Sequence, residues 1–97
     1  MVPVAFHPEA TRELLKSARF YEEQSPGLGQ EFLDTIERAV EVLQEYPEAG
    51  TPFWGPTRRY LVQRFPFGII YHVHHSRILL YAIMHVQRRP GYWVDRL

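Results

Sequence analysis

The residues best suited to chemistry lie close together near the C-terminal end of the sequence. His85, Arg88, Arg89, Tyr92 and Trp93 place one imidazole, two fixed cations and two aromatic rings within nine residues. Histidine titrates near neutral pH, guanidinium groups stabilise developing negative charge, and an aromatic ring can stack on a nucleobase. The segment therefore has the groups needed for phosphodiester cleavage, with His85 as a base, or for recognition of an anion or an acidic partner without cleavage.

A purely structural role is also open for these residues. His85 could be a hydrogen-bonded packing residue at the end of a buried strand, and Tyr92 and Trp93 could cover the open end of the core. No second base or nucleophile stands near His85 in the sequence. His72 and His74 share one side of a predicted strand, but a zinc site needs three or four ligands, so no metal site is predicted.

Arginine dominates the half of the chain that contains this segment. Residues 50–97 hold seven arginines and one acid, whereas residues 1–49 hold four basic residues and ten acids. Antiparallel strands bring their ends together, so arginines distant in sequence can converge on one edge of a sheet and bind phosphates or carboxylates. We predict one anion-facing or partner-facing surface, called the arginine surface below. Its members are Arg58, Arg59, Arg64, Arg88, Arg89, Tyr92 and Trp93.

Length and composition predict one small cytoplasmic domain that covers residues 1–97. A chain of 97 residues has one core, and 45% hydrophobic residues allow it to fold unaided. The absence of cysteine excludes disulfides, thiolate catalysis and cysteine-based metal centres. We expect no cofactor, because no phosphate-binding glycine-rich loop, nucleophile elbow or dinucleotide motif is present. The sequence shows no signal peptide and no stretch long enough for a membrane span, so no membrane partner is expected.

The N-terminal half is predicted to form a strand and a helical hairpin. Val2 to Phe6 favours a strand, and Pro8 suits the first turn of a helix that continues to about Gln24. A Ser-Pro-Gly break at residues 25–29 separates this helix from a second apolar stripe at residues 32–43. The first stripe is predicted to contain Ala10, Leu14, Leu15, Ala18 and Tyr21. The acids Glu31, Asp34, Glu37, Glu41 and Glu45 share the opposite side of the second helix, which predicts a solvent-facing surface.

The C-terminal half is predicted to form a sheet. Residues 48–52 are rich in turn formers, and after residue 56 the hydrophobic period changes from helical to strand-like. Strands are predicted at residues 58–64, 67–74 and 77–86, and the tight turn at 75–76 makes the last two antiparallel. The last strand is apolar at nearly every position, so it should be central and covered on both faces. The predicted class is α+β, with the N-terminal strand and helical hairpin packed on a mostly antiparallel sheet of three to four strands in the order β-α-α-β-β-β.

Four segments in this order resemble the RelE/ParE toxin superfamily. They are Gly27-Leu28-Gly29-Gln30-Glu31-Phe32, Tyr46-Pro47-Glu48-Ala49-Gly50, Arg64-Phe65-Pro66-Phe67-Gly68-Ile69-Ile70-Tyr71 and His85-Val86-Gln87-Arg88-Arg89-Pro90-Gly91-Tyr92-Trp93. The resemblance spans essentially the whole chain. It implies the toxin of a type II toxin-antitoxin pair, held inactive in a hetero-oligomer by a cognate antitoxin that wraps around it. An acidic or amphipathic antitoxin segment would suit the basic half.

The resemblance implies two alternative targets. RelE-type members resemble ribosome-dependent endonucleases that cleave mRNA, whereas ParE-type members resemble poisons of DNA gyrase without an obvious nuclease site. RelE-like enzymes carry an arginine where this chain has Gly68, and of their basic pair on the preceding strand Arg59 matches one member and Leu61 replaces the other. Arg88 matches a catalytic arginine, but Tyr92 lies earlier than the usual tyrosine. These departures favour the ParE-like branch, in which the arginine surface binds gyrase or DNA.

Besides the ParE-like branch, a RelE-like enzyme and a non-toxic member of the superfamily remain possible. In a RelE-like enzyme, Arg88 would stabilise the scissile phosphate while His85 or Tyr92 moved a proton. A third possibility is a non-toxic member of the superfamily that only binds an antitoxin or dimerises.

Overall fold

The computed structural model describes residues 1–97 and confirms the α+β class. The elements are β1 (Val4–Phe6), α1 (Pro8–Gln24), α2 (Leu28–Glu45), β2 (Thr51–Pro52), β3 (Arg58–Leu61), β4 (Phe67–His74) and β5 (Arg77–His85), followed by a short 3₁₀ helix at Val94–Arg96. The strands form one sheet in the order β1-β5-β4-β3-β2. β1 is parallel to β5, and every other pair is antiparallel. Neither helix has both the length and the apolar character that crossing a membrane requires.

The two helices form the predicted hairpin, and glycines shape the turn between them. Gly27 has φ 88°, a left-handed conformation that reverses the chain directly before α2. The Glu22 carboxylate accepts the backbone N–H groups of Gly27 and Gly29 at 2.9 and 3.0 Å. A Cβ atom at Gly29 would lie 2.5 Å from the carbonyl oxygen of Ala18. Glycine is therefore needed here for the close approach of α2 to α1.

The main core lies between the helical hairpin and one face of the sheet. Its largest fully buried side chains come from α2 and from strands β4 and β5: Phe32, Ile36, Leu43, Ile69, Tyr71, Ile78, Leu80 and Ile83. The predicted stripes largely face this core, but Leu15 is exposed, so its assignment to the first stripe is wrong. The acids of α2 lie on the solvent side as predicted, with Asp34 partly covered.

A second, smaller core covers the reverse face of the sheet. It consists of Ile70, Ala82, Met84 and Trp93, with Phe53, Tyr81 and Tyr92 packed around it. The ring of Phe53 stacks on Trp93 with centroids 5.5 Å apart. Gly91 has φ 91°, and a Cβ atom there would lie 2.7 Å from the Trp54 ring. β5 is thus covered on both faces, as its continuous apolar sequence predicts, although β4 occupies the middle of the strand order.

One predicted turn and three predicted strand boundaries need correction. Residues 51 and 52, predicted as part of a turn, form β2 and pair with β3, so the sheet has five strands instead of three to four. β3 ends at Leu61 and not at Arg64, since Arg64 has φ 75°, which a strand does not accommodate. β1 begins at Val4 rather than Val2, and β5 ends one residue before the predicted position.

The Tyr71 hydroxyl anchors the loop between α2 and β2. It accepts the backbone N–H of Gly50 at 2.9 Å and donates to the carbonyl oxygen of Pro47 at 2.7 Å. We expect Tyr71→Phe to lower the free energy of unfolding by about 1 to 2 kcal/mol, because both backbone groups lose their partner. Urea denaturation measures this. Tyr60→Phe is the control, since the Tyr60 hydroxyl makes no protein hydrogen bond, and an equal loss in both variants would contradict the anchoring role.

Candidate functional site

Arg58 and Arg59 do not join the other members of the arginine surface. Arg58 donates from Nη1 to the carbonyl oxygen of Gly50 at 2.7 Å and lies 3.8 Å from the Glu48 carboxylate. It therefore fastens the loop that precedes β2. Adjacent residues of a strand point to opposite faces, so Arg59 lies on the reverse face, with its guanidinium carbon 4.6 Å from the centroid of Phe53. The predicted convergence of all five arginines on one edge is wrong for these two.

Gly68 provides the space that Arg59 occupies. The two residues lie on neighbouring strands, and a Cβ atom at Gly68 would lie 3.1 Å from Cγ of Arg59. The aliphatic stem of Arg59 therefore packs where a side chain at position 68 would stand. The arginine found here in RelE-like enzymes would need Arg59 to move.

Arg64 and Arg88 lie at the same end of the sheet, where β3 ends, β4 begins and β5 ends. The backbone N–H of Val86 donates to the carbonyl oxygen of Pro66 at 2.9 Å and ties the two segments together. Arg64 contacts the Glu31 carboxylate at 2.9 Å, and this hydrogen bond and charge attraction raise the pKa of Arg64. Acids of the helical half thus neutralise part of the positive charge of the basic half. Arg89 is exposed and makes no ion pair.

Glu13 on α1 organises the C-terminal segment, a role that its sequence context does not indicate. Its side chain is only 13% exposed and forms a two-pronged ion pair with Arg96, with both N–O distances 3.0 Å. The backbone N–H of Ile83 donates to the same carboxylate at 3.0 Å, and Arg96 also donates to the carbonyl oxygen of Tyr81 at 2.9 Å. Burial favours the neutral form of Arg96 and so lowers its pKa. The hydrogen bond and the charge attraction to Glu13 outweigh this effect, so the pKa of Arg96 is raised. Glu13 therefore joins α1, β5 and the C-terminal segment.

Arg88 and Tyr92 are stacked beside this ion pair. The guanidinium carbon of Arg88 lies 3.6 Å from the centroid of the Tyr92 ring, and its Nη1 lies 3.4 Å from the Glu13 carboxylate. The Tyr92 hydroxyl is buried beside the Glu13 carboxylate and makes no hydrogen bond of standard geometry. Burial, reinforced by the Glu13 charge, raises the pKa of Tyr92. This moves the hydroxyl further from the range in which a proton-transfer group works at neutral pH.

His85 lies on the helix side of the sheet and faces a groove between α1 and the end of β5. This groove, called the α1 groove below, has a volume of about 370 Å³. It is lined by Glu13, Lys16, Ser17, Phe20, Tyr21, Phe67, Ile83, His85 and Arg88. Nδ1 of His85 accepts the backbone N–H of Gln87 at 3.1 Å, so the neutral ring carries its proton on Nε2. His85 and Arg88 thus share the α1 groove, whereas Tyr92 does not line it.

Trp93 is fully buried, so the direct contact with a target predicted for its ring does not fit the structure. It covers the reverse-face core, which is the structural role that the sequence left open. His72 and His74 lie on one strand side with ring centroids 5.4 Å apart, and no group of three or more metal-ligating side chains converges in the structure. Charge repulsion, chiefly from the neighbouring His75, lowers the pKa of His74.

Comparison with known proteins relates both sequence and fold to one family. The sequence model of the family described as "ParE toxin of type II toxin-antitoxin system, parDE" matches residues 4–90. A solved structure titled "Chromosomal ParDE TA system from P. aeruginosa" superposes with a TM-score of 0.79 at 23% sequence identity, over 90% of this chain and 98% of that chain. At this identity the likeness shows a shared fold. No match is found among curated proteins.

Proposed function

Because the chain belongs to the ParE toxin family of type II toxin-antitoxin systems, we propose that it arrests growth by binding DNA gyrase and that a cognate antitoxin neutralises it. Arg88 and Arg89 are the contacts favoured for the target, since both are exposed just beyond the end of β5. Arg89 makes no ion pair and Arg88 keeps donors beyond its contact with Glu13, so both also suit an acidic antitoxin segment. The toxin acts by binding and carries out no reaction.

The burial of the Tyr92 hydroxyl is the main structural support for this proposal. A nuclease needs groups that move protons at neutral pH, and Tyr92 has a buried hydroxyl with a raised pKa. His85 is the remaining candidate base, and the one carboxylate of the α1 groove, Glu13, is already engaged by Arg96 and by the backbone N–H of Ile83. At position 68, where RelE-like enzymes place an arginine, the stem of Arg59 fills the space. These three observations favour binding over RNA cleavage.

Induction in a bacterium with pulse labelling of DNA, RNA and protein synthesis tests the proposal. DNA synthesis is expected to fail first, and the purified chain is expected to inhibit supercoiling by gyrase. Arg88→Ala should abolish the arrest, because it removes the exposed cation, while Arg77→Ala should not. Arg77 is a matched control, since it is exposed on the β4–β5 turn and makes no ion pair.

Other results of the labelling experiment would indicate the alternative functions. If protein synthesis fails first, the gyrase proposal is wrong and a ribosome-dependent mRNA endonuclease is indicated. If growth is unaffected, the chain is a member that only binds an antitoxin or dimerises. Coexpression of the protein encoded by the neighbouring reading frame should restore growth if that protein is the antitoxin.

A further inference from the structure

The α1 groove contains hydrogen-bond donors that have no partner in the protein. Lys16 makes no ion pair, Ser17 makes no hydrogen bond, and His85 presents Nε2–H. Arg88 lies at the same groove and keeps donors free beyond its long contact with Glu13. The only carboxylate of the groove, Glu13, is already bound by Arg96 and by a backbone N–H. The donors that remain free in the groove therefore suit an anion.

An exposed aromatic ring lies beside these donors. Phe20 is 56% exposed and follows Lys16 by four residues on α1, so the two side chains share one side of the helix. A cation next to an open ring matches the alternation of phosphate and base in single-stranded nucleic acid.

A peptide fits the α1 groove less well. An extended peptide binds by pairing with free backbone groups at a strand edge. β1 covers β5 only at Ile78–Leu80, but beyond this the N–H of Ile83 donates to Glu13 and the carbonyl oxygen of Tyr81 accepts Arg96, so this edge is already occupied beside the groove. A partner helix needs a continuous apolar floor, whereas Lys16, Ser17 and His85 interrupt this one.

We propose that the α1 groove binds single-stranded nucleic acid, with backbone phosphates at Lys16 and Arg88 and an unpaired base against Phe20. The biological role rests on the proposed function: the toxin would contact unpaired DNA at gyrase as well as the enzyme. Binding to nucleic acid can be measured without gyrase, so this inference and the gyrase proposal can fail separately.

Fluorescence anisotropy of the full chain with a labelled single-stranded DNA oligonucleotide tests the inference. Two phosphate contacts predict that the logarithm of the affinity falls with the logarithm of salt concentration with a slope of about −1.4. Lys16→Gln should weaken binding severalfold and reduce the slope to about −0.7. Phe20→Leu should weaken binding about fivefold or more without changing the slope, because it removes stacking and no charge. Arg77→Gln is the control for loss of one exposed charge and should leave both quantities nearly unchanged.

Three results would overturn the inference. Equal losses in Lys16→Gln and Arg77→Gln would indicate general charge attraction. Preference for duplex DNA would exclude stacking on Phe20. Absence of oligonucleotide binding, together with Lys16-dependent binding of a glutamate-rich peptide, would make the groove a peptide site. If the chain does not bind the oligonucleotide but still arrests growth, the nucleic-acid inference alone is wrong. If the chain binds the oligonucleotide but leaves DNA synthesis unaffected, the gyrase proposal alone is wrong.

Discussion

Trp93→Ala is expected to lower the free energy of unfolding by about 3 kcal/mol, because it leaves a cavity in the reverse-face core. The Trp93 ring is fully buried, stacks on Phe53 and meets the Trp54 ring edge-on with centroids 6.0 Å apart. Its indole N–H is buried without a partner, so removing that group offsets a part of the loss. In a domain of this size the melting temperature should fall by at least about 12 °C.

Thermal denaturation followed by circular dichroism measures this effect. Trp54→Ala is the control, since Trp54 is 49% exposed and its removal should cost much less. Trp93→Phe should recover a large part of the stability because it refills the cavity. A Trp93→Ala protein that is as stable as the parent but has lost growth inhibition would show that Trp93 contacts the target and does not support the fold.

Glu13→Gln is expected to lower the free energy of unfolding by about 2 to 3 kcal/mol and to loosen the C-terminal segment. The change keeps the size of the side chain and an oxygen for the N–H of Ile83, but leaves Arg96 without an opposite charge. Breaking a fully buried pair costs about 3 to 5 kcal/mol, and the 13% exposure on each side of this pair reduces the figure. Arg88 loses its carboxylate contact as well.

Urea denaturation gives the stability change, and in a Trp54→Phe background a red shift of tryptophan emission reports exposure of Trp93. Glu31→Gln is the matched control, because it breaks the exposed ion pair with Arg64 by the same chemical change. The control should lose much less stability, since solvent screens that pair. Equal losses in the two variants would show that Glu13 has no special organising role.

Local sequence patterns were sufficient for most of the fold. The apolar stripes of α1 and α2 and the tight turn at residues 75–76 depend on neighbours within a few residues, and each was predicted. β2 was missed, because a two-residue strand containing Pro52 has no periodicity of its own. Which strand β1 joins depends on the whole chain, so its parallel pairing with β5 was not predicted.

The candidate site was less predictable because it depends on contacts between distant residues. Glu13 resembles any acid on the polar side of a helix, and its partner Arg96 lies 83 residues away. Arg58 and Arg59 are adjacent and chemically identical, yet strand alternation sends them to opposite faces. His85 and Arg88 were identified from residue type alone, but Lys16 and Phe20 come from the acidic half of the chain and only the fold places them beside the groove.

The parallel pairing of β1 with β5 also sets an order of events during synthesis. The partners of Val4, Ala5 and Phe6 are Ile78, Leu79 and Leu80, more than seventy residues later in the chain. Ribosomes add about 5 to 20 residues per second, so β1 is made about 4 to 15 s before its partner strand exists. The helical hairpin can form from local contacts in that interval, but the sheet cannot be completed. A newly made chain can therefore complete its sheet only after this delay.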